Sequence, residues 1–363
     1  MTKVLLILST LAETGPVNLV YDILSEVDDS ISVSVLTLSP EAESSRASEF
    51  ESLDVNVETL DLGRLESATL GGLRLYRAVE QRNPDVVHTH GLRADSLAAF
   101  ALYNTPTVTT LHTDPWKDYA ESYGRVRGSI IATLHLFTVR SIDNQVACSS
   151  AVAKSLRRIL PDVQVIRNGI QQETYRPAND PSRYRRRLEL PEDIPIFVSA
   201  GGFIQRKRPT TVIKGFQLSD VDGHLVMLGD GPLRDRCRSL AGDAITIPGY
   251  VNEVLPYFHA ADFFVSASAA EGLPLAPIEA LGCGLPVALS NIRPHEEILS
   301  FNDQAGSLYD VESVSQCAAA FRSLVGRNYE SASMAARKIV TEHLNSARMA
   351  TAYANLYRKL SNG

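Results

Sequence analysis

The chain has 363 residues, of which 44% are apolar and 21% charged, with a formal net charge of -7. That length and apolar content supply two packed cores rather than one, and the acidic balance argues against a dedicated nucleic-acid binder. Four cysteines, Cys148, Cys237, Cys283 and Cys317, stand far apart without a CxxC pair. They read as reduced core residues of a cytosolic protein, not as disulfides or a zinc site.

Taken in chain order, short β-rich runs alternate with helical patterns. "VLLIL" (4–8) reads as a first strand rather than a signal peptide, and a helix pattern follows across 17–26. "SVSVLTL" (32–38) and "VNVETL" (55–60) are strand-like, and 66–82 has helical spacing. "DVVHTH" (85–90), "TVTTLH" (107–112) and "NQVAC" (144–148) continue the series. The most apolar window, 128–139, is too short to span a bilayer and contains His135.

Between 168 and 195 the pattern turns polar, with four prolines and an arginine cluster. This predicts an interdomain linker carrying a helix at about 181–188, its arginines forming a solvated face. Anionic lipid or a glycan chain is the other reading of those arginines. Strand-like runs then resume at 194–202, 224–231, 244–249, 262–268 and 286–290, and after 311 the chain is helical. Apolar strands separated by amphipathic helices predict an α/β fold of two doubly wound, Rossmann-like domains with parallel sheets.

Ligands of such sheets bind beyond the carboxyl ends of the strands. The residues expected there are Gly15, His88, His90, His112, the segment 201–209, Gly229 to Gly231, and Glu271. His88 and His90 have a spacing suited to a metal, but no third ligand stands near them in sequence, so no metal site is expected. "EGLPLAPIEALGCGLPV" (271–287) holds two acids, Glu271 and Glu279, in an otherwise apolar stretch. It predicts a strand-to-helix loop and a short helix closed by Gly282 or Gly284. The free amides at the start of that helix suit a diphosphate, and Glu279 can take ribose hydroxyls. By themselves the two acids fit structural caps equally well.

That stretch resembles the E-x7-E signature of the retaining glycosyltransferases of family GT4. Neighbouring motifs match in order: "PDVVHTHG" (84–91), "TLHTDPW" (110–116), "VIRNGI" (165–170), "RKRP" (206–209), "MLGDGPLR" (227–234), "IPGYV" (247–251) and "ADFFVSAS" (261–268). The likeness covers nearly the whole chain. It implies the GT-B fold, two Rossmann-like domains facing across a cleft. An acceptor-side domain would span 1–168, a nucleotide-sugar domain 169–345, and a last helix at 346–360 would pack back on the first.

The resemblance also implies residue roles. Arg206 and Lys207 would hold the donor diphosphate, Glu279 the ribose, and Glu271 the donor sugar. The amides of Leu275 and Ala276 would meet the phosphates. His112 would touch the transferred sugar, Val251 the base, and Gly15 would sit where donor and acceptor approach. Gly201-Gly202-Phe203 stands where the family often has Gly-Arg-Leu, so Arg206 and Lys207 carry more of the charge.

The implied function is transfer from a nucleotide-diphosphate sugar, UDP before GDP, to a hydroxyl of a glycan or lipid-linked acceptor, with no metal or other cofactor. The implied location is cytoplasmic, and peripheral contact with the inner membrane face stays open. An epimerase or phosphorylase on the same fold, and a non-catalytic nucleotide-sugar-binding subunit, stay open as well.

Overall fold

The computed structural model describes every residue except Ser44, Arg64, Leu65, Ser67, Ala68, Tyr103 and Gly363. Among the described residues, the first sheet has seven parallel strands. They are β1 (Thr2–Leu8), β2 (Ile31–Thr37), β3 (Asn56–Thr59), β4 (Val86–His90), β5 (Thr107–Leu111), β6 (Asn144–Ala147) and β7 (Gln164–Val165), in the order β3-β2-β1-β4-β5-β6-β7. The second sheet has six: β8 (Ile196–Ala200), β9 (His224–Leu228), β10 (Ile245–Gly249), β11 (Phe263–Ser266), β12 (Val287–Ser290) and β13 (Gly306–Tyr309), in the order β10-β9-β8-β11-β12-β13. Each sheet anchors one compact unit: Met1–Gly169 with Ser346–Gly363, and Ile170–Asn345.

Both faces of each sheet are covered, which is why the strands read as continuous apolar runs. In β1, Leu5 and Ile7 point to one face and pack with Leu75, Val79 and Ala98 from helices Gly71–Arg82 and Leu92–Ala101. Helix Ser346–Ser361 packs against β1, β4 and helix Gly15–Leu24. It buries Met349, Tyr353, Leu356 and Tyr357. Tyr353 and Tyr357 each place a hydroxyl on the sheet, 2.8 Å from Thr110 Oγ1 and 2.7 Å from His88 Nδ1.

In the second unit, helices Pro209–Ser219 and Val314–Val325 lie against each other and share an aromatic core of Phe197, Phe216 and Phe321. Gly215 allows the approach: a Cβ there would lie 2.4 Å from Cys317 Sγ.

The strand and helix expectations fall close to these elements. The helical reading of 66–82 is met by Gly71–Arg82, while Ser67 and Ala68 lie outside the described residues. Two strands go unread in the sequence, β7 and β13. β7 is only two residues long, too short for a period to show, and β13, Gly306-Ser307-Leu308-Tyr309, has no apolar run.

The linker expectation for 168–195 needs correction. From Ile170 onward the segment is built into the second unit, with the Ile170 amide donating to Leu344 O at 3.0 Å. Arg337 binds three carbonyls at 2.6–2.9 Å, those of Tyr175, Gln172 and Gly282. The expected helix forms at Pro181–Arg187 with Arg183, Arg186 and Arg187 exposed, but Arg185, expected on the same solvated face, is buried and pairs with Asp262 at 2.7 Å. Polar composition here marks backbone held by arginine side chains instead of chain left in water.

Candidate functional site

The strand order reverses direction once in each sheet, between β1 and β4 and between β8 and β11. Such switch points open a crevice beyond the strand ends. In the second unit, β8 runs into Gly201, whose φ of +151° suits glycine, and then into a tight turn at Gln205–Lys207. β11 runs into 267–274.

Two bonds tie these loops together. The Ala269 amide donates to Arg206 O at 2.8 Å, and Arg206 Nη1 donates to Ala270 O at 2.8 Å. Next to them Glu271, its side chain 7% exposed, meets Arg206 at 3.0 Å and Lys207 Nζ at 2.5 Å. Burial raises the Glu271 pKa, but Lys207 and Arg206, with hydrogen bonds from Lys207 and Ser268, outweigh it and pull the carboxyl down to about 2. Two cations held beside one carboxylate leave a local excess of positive charge.

The next element is helix Leu275–Gly282. It begins after Pro274 with no side-chain cap, so its first amides, at Leu275 and Ala276, stay available to an anion. Glu279 lies one turn on and is half-buried. The helix ends at Gly282, and Gly284 supplies the left-handed residue (φ +78°) that follows. Val251 is half-buried in the loop after β10. Gly229-Asp230-Gly231 packs closely on the loop after β8: a Cβ on Gly229 would lie 2.0 Å from Gly201 O, and Asp230 O accepts from the Phe203 amide at 2.8 Å.

Behind Glu271 is a polar group that sequence reasoning missed. Ser290 Oγ donates to Ser268 O at 2.5 Å, and His295 Nδ1 lies 2.9 Å from Ser290 O. A carbonyl only accepts, so Nδ1 carries the proton. Nε2 is then a buried acceptor with no partner among the described residues. Burial lowers the His295 pKa to about 4 despite the pull of Glu271. In sequence, "RPHEE" looks like an ordinary solvated helix start, which hides this histidine.

In the first unit the strand ends carry imidazoles. His88 is saturated by Tyr357 and by Thr110, the latter at 2.8 Å. His90 Nδ1 and His112 Nε2 share a hydrogen bond of 2.9 Å. Burial lowers all three, His88 to about 3 and His112 to about 4, so they are neutral near neutral pH. Below them Asp95 accepts from Thr89 at 2.6 Å, Thr109 at 2.7 Å and His135 at 2.8 Å. Gly15 is exposed and opens helix Gly15–Leu24, with open space about its Cα.

The structure thus brings Arg206, Lys207 and Glu271 into contact and sets Leu275, Ala276 and Glu279 on the element that follows. His112 and Gly15 belong to the other unit.

Known proteins resemble the chain over most of its length. The model "Glycosyltransferase Family 4" matches residues 14–174, and "Glycosyl transferases group 1" matches 180–339. A D-inositol 3-phosphate glycosyltransferase of Xylanimonas cellulosilytica is 28% identical over 274 residues, 68% of this chain and 64% of the relative. A UDP-Gal:alpha-D-GlcNAc-diphosphoundecaprenol alpha-1,3-galactosyltransferase of Escherichia coli is 22% identical, over 67% of this chain and 66% of the relative. The matches therefore span under two thirds of these relatives' lengths. Among solved structures, HepE of Anabaena in complex with UDP-glucose aligns with a TM-score of 0.84 at 15% identity, over 99% of this chain and 100% of that one. With one family model on each half and a fold shared end to end, the chain belongs to the group 1, GT4-type glycosyltransferases and has the GT-B fold.

Proposed function

We propose that the protein moves a sugar from a nucleoside-diphosphate donor, UDP before GDP, to a hydroxyl of a glycan or lipid-linked acceptor. It would do so with retention at the anomeric carbon and without a metal ion. The observation that carries this reading is the cluster of Arg206, Lys207 and Glu271 at the switch point of the second sheet, followed at once by the uncapped start of helix Leu275–Gly282. UDP is favoured because a sequence relative is named for UDP-Gal and a structural neighbour is a complex with UDP-glucose.

The chemistry follows from the charges. Breaking the bond between the anomeric carbon and the phosphate oxygen leaves its electron pair on the diphosphate. Arg206, Lys207 and the Leu275 and Ala276 amides are preorganised donors for that charge. Glu271 is a poor nucleophile, because a carboxylate held at a pKa near 2 by two cations has little basicity left. This favours attack by the acceptor hydroxyl on the face the donor leaves. The new carbon–oxygen bond then forms there, and the acceptor proton passes to the departing phosphate oxygen.

The test is a thermal-unfolding screen of UDP, GDP and other nucleoside diphosphates, followed by transfer assays in excess chelator. A ligand at about 100 times its Kd stabilises by about 2.7 kcal/mol. Stabilisation by UDP and transfer that persists in chelator are expected. No response to any nucleotide, or activity restored only by manganese or magnesium, would overturn the corresponding part of the proposal.

A further inference from the structure

Helix Arg125–Val139 has two apolar faces where a surface helix normally has one. The inner face buries Ala132, Leu136 and Val139 within the first unit, and Gly128 lets the backbone close on Tyr119 and Ala120. The outer face carries Val126, Ile130, Leu134 and Phe137, which are 76%, 56%, 63% and 71% exposed. Their spacing of four, four and three residues makes one continuous stripe. Leu92–Ala101, the helix packed beside this one, adds Phe100 at 82% exposure. Bulky side chains lined up in water mark a surface that something covers.

Charge says what covers it. From 125 to 140 the only charged residues are Arg125, Arg127 and Arg140, all exposed, in a chain whose net charge is -7. The nearest acids in sequence, Glu121 and Asp143, lie outside the helix at either end. A second copy of the chain is a poor partner, because a two-fold contact through this stripe would bring arginines against arginines. The neighbouring helix Pro115–Tyr123 carries Asp118 and Glu121, but the stripe's own helix carries cations and no acid, which matches an anionic lipid surface, with acyl chains for the stripe and phosphates for the arginines.

We infer that this helix docks the protein on an anionic bilayer, lying in the plane of the interface. It does not span: its 15 residues reach about 22 Å, short of a hydrocarbon core of about 30 Å, and its other face is already packed. The arginines of 183–187, which the sequence offered as a lipid face, are not needed.

The experiment is sedimentation of the full chain with vesicles of phosphatidylcholine alone and of phosphatidylcholine mixed with phosphatidylglycerol. It needs no donor or acceptor, so its outcome is independent of the proposed transfer. Binding to the mixed vesicles, weakened by salt, is expected. A triple variant, Arg125→Gln with Arg127→Gln and Arg140→Gln, should lower the partition on the order of 100-fold, about fivefold per arginine. A double variant, Ile130→Ser with Phe137→Ser, should abolish binding while keeping its unfolding temperature, since both side chains are exposed. Absence of binding by the parent chain would overturn the inference, as would equal binding by both variants. So would self-association in solution that the double variant removes without any vesicle binding.

Discussion

The two switch points make an instructive pair. Both lie where a parallel sheet reverses its strand order, and both hold buried ionisable side chains. In the first unit these are imidazoles without a countercharge close enough to outweigh burial, and they are held neutral. In the second, Glu271 is equally shut away, yet two cations at 2.5 and 3.0 Å keep it ionised. Burial by itself penalises charge in both places. The partner decides whether a group answers by losing its charge or by pairing it.

The contrast can be broken most severely from the C-terminus. Helix Ser346–Ser361 belongs to the first unit, where Tyr353 and Tyr357 hold the strand-end network. Deleting 346–363 removes four large buried side chains, Met349, Tyr353, Leu356 and Tyr357. At about 2–5 kcal/mol each, the loss rivals the whole stability of a domain, about 5–15 kcal/mol. The truncated chain should fail to give a cooperative first unit by calorimetry. A folded, fully active truncate would show that the helix is an appendage.

Acid should separate the units next. An unfolded imidazole takes a proton near the ordinary 6.5, but His112 and His295 resist to about 4 and His88 to about 3, and His90 is lowered as well. Between those limits the unfolded chain binds more protons, so stability is complete above 6.5 and falls as pH drops below it. Each group contributes a slope of up to about 1.4 kcal/mol per pH unit. Glu271 acts lower: its stabilisation is complete above the usual carboxylate value and is lost only as pH falls toward 2. His224 and His259 of the second unit are lowered by burial as well, but less strongly. Three of the four strongly lowered imidazoles are in the first unit, so that unit should melt first between pH 6.5 and 4.5. Unfolding temperatures that stay flat from pH 7 to 5 would mean the imidazoles charge freely in the fold.

Much of this was legible in the sequence, and the reasons for the remainder are physical. The strands announced themselves as apolar runs, and Arg206, Lys207 and Glu271 could be placed at strand ends by position alone. What the sequence did not show was pairing at long range. Nothing local in the sequence reveals that Arg206 and Lys207, expected to face phosphate, also hold Glu271, 65 and 64 residues away. His295 stands among charged residues in sequence, whereas its neighbours in space are Ser290 and Ser268. Arg185 looked like part of a basic surface because nothing local reveals Asp262, 77 residues on. Period reports which face is buried; it does not report which partner waits there.

The ion cluster offers a narrower test. Lys207→Ala should weaken nucleoside-diphosphate binding by about 1.5–3 kcal/mol, the range of one charge-assisted hydrogen bond, and lower turnover with it. Glu271→Gln should act differently. It removes the countercharge from two partly buried cations, so the folded chain loses stability, while its affinity for a diphosphate is kept or increased. Calorimetry read beside nucleotide titration separates the two variants. If Lys207→Ala leaves affinity and rate unchanged, the lysine serves Glu271 alone and is no part of a phosphate site.

The smallest expected effect falls on the neutral side. Tyr357→Phe removes one hydroxyl and no volume, and leaves His88 Nδ1 without its 2.7 Å partner. His88 keeps its bond to Thr110 through Nε2, so the ring stays anchored at one end. An unsatisfied buried polar atom costs about 1–3 kcal/mol. Because the group is neutral, no charge is stranded and the cost should sit at the low end of that range. Tyr357 belongs to the first unit and the proposed phosphate cluster to the second, so diphosphate affinity should not move. A stability loss of this size with unchanged nucleotide binding is the mirror image of Lys207→Ala. If Tyr357→Phe instead weakens nucleotide binding as much as Lys207→Ala does, the imidazole network of the first unit contributes to donor recognition, and the division between a neutral scaffold and a charged binding site fails.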